Sequence, residues 1–61
     1  MNKELLERTI EQLTWALESD VDFLQWAKEE PEDKKDYQHI GHLAFIVEER
    51  TDIVEQLKKL Q

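Results

Sequence analysis

Glycine and proline occur once each in this chain of 61 residues, at Gly41 and Pro31. Those two residue types punctuate chains most strongly, so their scarcity leaves room for one break and long uninterrupted helices on either side. Between Asn2 and Glu30 nothing interrupts a helix, and Leu, Glu, Gln, Lys and Ala, all good helix formers, dominate. Asn2 is placed to cap this helix, with Glu4 in the first turn, where an acidic side chain suits the helix dipole. Leu6, Ile10, Leu13, Leu17, Val21 and Leu24 follow at three- and four-residue steps, the spacing of one helical face. Pro31 disfavours helical backbone at Glu30, so the helix is expected over about 3–29.

Glu30-Pro31-Glu32-Asp33 is the predicted turn. Asp33 is expected to cap a second helix over about 34–60, with Asp36 in capping-box position. Its apolar face runs through Ile40, Leu43, Val47, Val54 and Leu57, and Ile46, Ile53 and Leu60 widen it. Lys58 and Lys59 fall in the last turn, where cations suit the dipole. Each helix would be roughly 27 residues and about 40 Å long. So short a connection makes the two antiparallel neighbours. The fold class is therefore all-α: one helical-hairpin domain over residues 1–61.

One hairpin leaves that apolar surface half covered. Each stripe spans about 140° of a helical wheel, wide enough to touch two neighbours. A chain this short usually needs a staple, and it has no cysteine for a disulfide. The expected solution is dimerisation of two hairpins into a four-helix bundle. Its oligomer core would comprise Leu6, Ile10, Leu13, Leu17, Val21, Leu24, Ile40, Leu43, Val47, Val54 and Leu57. Asp20 and Arg50 each fall where the seam expects an apolar residue. They are expected to form a buried ion pair, within or between hairpins, that helps fix register; the competing reading sends both to the surface.

Fifteen acidic residues against eight basic ones give a net charge of −7. Phosphate binding needs cationic neutralisation, so direct nucleic-acid binding is not expected, nor is an anionic membrane surface. No segment is long and apolar enough to span a bilayer. Met1 to Ile10 is charged throughout, so no signal peptide is expected there, and the expected location is cytoplasmic.

Trp15 and Trp26 are eleven residues apart, three turns and about 16 Å, on a face opposite the centre of the apolar stripe. An acidic stripe of Glu7, Glu11, Glu18, Asp22 and Glu29 runs beside them. Like-charge pairs at i,i+4, such as Glu7/Glu11 and Glu18/Asp22, are mildly destabilising. Phe45 lies similarly off centre on the second helix. Aromatic anchors in a charged surface are the makings of a binding patch, so Trp15, Trp26, Phe45, Glu11, Glu18 and Asp22 are the candidate partner-binding residues. The alternative is that these aromatics pack against a second copy, or against Phe23 and Leu5.

His39 and His42, one turn apart, could contribute to a metal site only if further ligands converged, and the Glu-x-x-His spacing of di-metal bundles is absent. No metal and no cofactor is expected. Ser19, the only serine, has no histidine placed to activate it, and no Gly-rich phosphate loop exists, so the chain does not read as an enzyme. Gly41 permits either a close helix crossing or a kink. In general shape the chain resembles the small dimeric hairpins that phages, plasmids and bacilli use as regulators. The leading functional expectation is a small acidic homo-oligomer that binds and modulates a larger, unidentified protein. An acidic nucleic-acid mimic inhibiting a DNA- or RNA-binding protein is the alternative, and a metal-binding bundle the third.

Overall fold

The computed structural model describes residues 2–61. Helix α1 spans Lys3–Glu29 and helix α2 spans Tyr37–Lys58; they pack against each other as a hairpin, joined by a segment containing a short 3-10 turn, Glu32–Lys34. Among the described residues there is no strand. The molecule is a rod of 48 × 14 × 11 Å.

Helix α1 begins and ends where local chemistry dictates. The Asn2 side-chain oxygen accepts from the Glu4 N–H at 2.7 Å and the Leu5 N–H at 3.3 Å, satisfying two of the amides left unpaired at a helix start. Glu30, ahead of Pro31, adopts φ −59°, ψ 148°, the extended backbone a following proline imposes.

The connection corrects the sequence reading. The second helix starts at Tyr37 rather than 34, and its cap is Asp36, whose carboxylate accepts from the His39 N–H at 3.1 Å. Asp33 instead sits inside the 3-10 turn, where the Lys34 N–H donates to the Pro31 carbonyl at 2.8 Å. The physical reason lies in the seam. A helix started at Asp33 would place Asp33 and Asp36 on the face that α1 covers, and its first turn would bury nothing apolar. Starting at Asp36 makes Ile40, half-buried, the first seam residue. The connecting segment is thus residues 30–36, tied down by hydrogen bonding of the Tyr37 hydroxyl to the Glu32 carboxylate and by a Lys35–Glu32 ion pair at 3.3 Å. At the other end α2 stops at Lys58 rather than 60. Leu60 and Gln61 close it with i→i+3 backbone bonds of 3.0 and 3.2 Å.

The seam of α1 runs Leu6, Ile10, Leu13, Leu17, Asp20, Leu24, Ala27; that of α2 runs Ile40, Leu43, Val47, Arg50, Val54, Leu57. Steps of three and four alternate without exception, which keeps each seam on its neighbour along the whole contact. Leu6, Ile10 and Val54 form the buried cluster, with Leu13 and Leu57 packed on it, and Leu43 is buried nearer the turn. Half-buried threonines return their hydroxyls to the helix: Thr14 donates to the Ile10 carbonyl and Thr51 to the Val47 carbonyl, each at 2.7 Å.

Candidate functional site

The Arg50 guanidinium donates to the Asp20 carboxylate across the two helices, in the middle of the seam. The pair is half-buried rather than buried: the Asp20 side chain is 16% exposed and that of Arg50 39%. Arg50 reaches Asp20 from the edge of the seam, its head more exposed than the carboxylate it meets.

The residues assigned to the oligomer core divide. Leu6, Ile10, Leu43 and Val54 are buried, and Leu13, Leu17, Leu24, Ile40, Val47 and Leu57 are half-buried. Val21 is exposed in the hairpin and has no place in the contact between α1 and α2. It follows Asp20 by one residue, about 100° around the helix, and so falls outside the seam that Asp20 occupies.

Trp15, Trp26 and Phe45 are 58%, 62% and 60% exposed, and Glu11, Glu18 and Asp22 are exposed beside Trp15. The three aromatics do not converge on one patch. Trp15 stands at the back of α1 and Phe45 at the back of α2, with the helix pair between them. Trp26 belongs to a third place. Its ring meets that of Phe23 edge to face, centroids 5.6 Å apart at 80°. These two rings line an open cleft of about 660 Å³ near the turn, with Ala27, Leu43, His39 and Lys34 among its other walls. By sequence Phe23 stands out only as a flank for other aromatics. Its spacing from Trp26, three residues on one helix, was the signal that the two would meet.

The acidic residues remain on the outer surfaces. A shallow hollow on α2 is bordered by Glu48, Glu49, Asp52 and Glu55, a line of carboxylates comparable to Glu11, Glu18 and Asp22 on α1. His39 and His42 are both exposed, and among the described residues no three His, Cys, Asp or Glu side chains converge as a metal site. Nothing lies within 4 Å of where a β-carbon on Gly41 would sit, so this glycine serves no close crossing within the hairpin. No described helix is long and apolar enough to cross a membrane. The chain matches no family model, no curated protein and no solved structure.

Proposed function

We propose that this protein is a small acidic interaction module: a helical hairpin that associates with a second copy and binds a larger protein, modulating it rather than catalysing a reaction. One observation carries the reading. Among the described residues nine large hydrophobic side chains are exposed, against four buried ones. Where they adjoin, as Phe23 and Trp26 do beside the cleft, they form a surface that other protein covers. The half-filled seam and the lack of any disulfide argue that a second hairpin completes a four-helix bundle.

The partner-facing part of this reading is Trp15 among Glu11, Glu18 and Asp22, with Phe45 on the opposite edge as a second anchor. A large aromatic with Glu11, Glu18 and Asp22 along its helix, beside Arg8 and Gln12, suits a mainly basic protein surface with an apolar pocket. The test is a Trp15→Ala, Phe45→Ala double variant used beside the wild type as bait. The expected result is unchanged helicity and molar mass with loss of a basic protein that the wild type retains. Loss of helicity, or an unchanged set of retained proteins, refutes the assignment.

The two outward lines of carboxylates favour one second reading, mimicry of a nucleic acid towards a protein that binds one. It differs in its salt response. Binding carried by carboxylates in a basic groove weakens steeply as ionic strength rises, whereas binding carried by Trp15 changes little.

A further inference from the structure

We infer that the hairpin pairs with a second copy of itself through one particular side, formed by Leu5, Phe23 and Trp26 of α1 with Ile46, Ile53 and Leu60 of α2, and that the second copy lies end for end so that the turns sit at opposite ends. This rests on the self-association put forward above and adds which face and which orientation.

The two flanks of the seam differ in chemistry. On one flank of α1, residues 5, 9, 12, 16, 19, 23 and 26 include no charged side chain, in a chain that is 38% charged. The matching flank of α2 holds only Glu49 between His39 and Leu60. On the other flank, α1 presents Glu4, Glu7, Glu11, Glu18 and Lys28. Depletion of charge at the centre with aromatic enrichment is the compositional mark of a protein interface. The same side carries the exposed Leu5, Phe23, Trp26, Ile53 and Leu60, and the cleft beside Phe23.

The area fits a second copy. The chain exposes 4923 Å². A compact monomer of 7.4 kDa exposes roughly 4,200 Å². The excess, about 700 Å², is close to the roughly 800 Å² that each partner contributes to a standard specific interface.

Charge sets the orientation. Residues 28–36 at the turn carry five carboxylates against three lysines, while the opposite end, residues 3–8 and 55–59, carries four cations against three carboxylates. Laying the copies end for end sets the acidic turn beside the cationic end of the other copy. Laying them with turns together sets like beside like. The two-fold axis then passes near Ala16, the middle of Lys3–Glu29, and within about a turn of Ile53 on α2, since Arg50 reaches Asp20 across the seam. Ala16 facing its own copy lets the helices approach closely. Trp26 comes level with Leu5 of the second copy, and Ile46 with Leu60.

Because the chain has no cysteine, single-cysteine variants test this directly. A disulfide forms only when the two Cα atoms come within about 7 Å. Ile53→Cys, next to the axis, is expected to cross-link to itself to completion under mild oxidation. Val21→Cys on the other flank is expected to stay uncross-linked. Both should retain the helicity and, when reduced, the dimeric mass of the wild type by light scattering. A dimeric mass with cross-linking at Val21→Cys and not at Ile53→Cys overturns the face. Linkage only in a mixture of Ala16→Cys and Ile53→Cys chains overturns the orientation, since α1 then lies over α2. A helical monomer at high concentration overturns this inference and the proposed self-association together, and leaves the partner-binding reading of Trp15 to its own test.

Discussion

Replacing Arg50 by methionine keeps most of the aliphatic stem in the seam and removes the guanidinium that pairs with Asp20. Asp20 then stays at a seam position with its side chain only 16% exposed and no cation to compensate it. Breaking a fully buried pair costs about 3–5 kcal/mol, and a fully exposed pair contributes about 0–1. Arg50 is more than a third exposed, so water screens the pair in part and the expected loss is about 2 kcal/mol, close to the net value of a charge-assisted hydrogen bond. That corresponds to roughly a thirtyfold shift towards the unfolded chain. Urea unfolding followed by far-UV circular dichroism measures it, at one fixed protein concentration because the proposed association would add stability. The double variant Asp20→Leu, Arg50→Met separates pairing from size. With both charges gone the seam is apolar throughout, and stability should return to the wild-type value or exceed it. Arg50→Met as stable as wild type, or a double variant as weak as the single one, would refute the reasoning.

Two further perturbations follow from local geometry. Asp36→Ala removes the cap of α2 and should cost about 1 kcal/mol, whereas Asp33→Ala should change stability by less than about 0.5; chemical denaturation of the two variants decides, and a larger loss at Asp33 would show that the helix starts there after all. Gly41→Ala should stabilise the chain by about 1 kcal/mol, because the added methyl meets nothing within 4 Å. A thermal midpoint that falls instead would show Gly41 to be pressed against another copy.

The hairpin itself was legible because it depends on period and punctuation. One proline fixed the end of α1, and unbroken three- and four-residue steps fixed both seams. What the sequence concealed was decided by competition between equivalent local signals. Asp33 and Asp36 are both good caps, and only the seam, which holds nothing apolar before Ile40, selects Asp36. Val21 is apolar and three residues before Leu24, so it reads as part of the stripe; the position that faces α2 is taken by Asp20 because Arg50 comes to meet it. The surface aromatics show the same limit. Spacing put Trp15 and Trp26 on one side of α1, but the contact of Trp26 with Phe23 draws it towards the uncharged flank, while Trp15 remains among carboxylates.

That division bears on how the fold is held. The fully apolar seam positions are separated by residues that tolerate more than one alignment: sliding one helix by seven residues would again set aliphatic side chains against aliphatic side chains. Asp20 and Arg50 break the degeneracy, since such a slip sets the Asp20 carboxylate against Leu43 or Leu57. The pair therefore favours one register, and that register sets Phe23 beside Leu43 and His39 at the cleft and keeps the charge-poor flank continuous. On the proposed reading, register within the hairpin and association between hairpins are one coupled choice. A slipped hairpin would break up the apolar side it offers, and a correctly registered one gains the stability its four buried hydrophobic residues do not supply alone. The carboxylates on the outer faces then have a consistent place. They line the backs of both helices, which on the proposed reading a second copy leaves uncovered and a basic partner meets at Trp15 and Phe45.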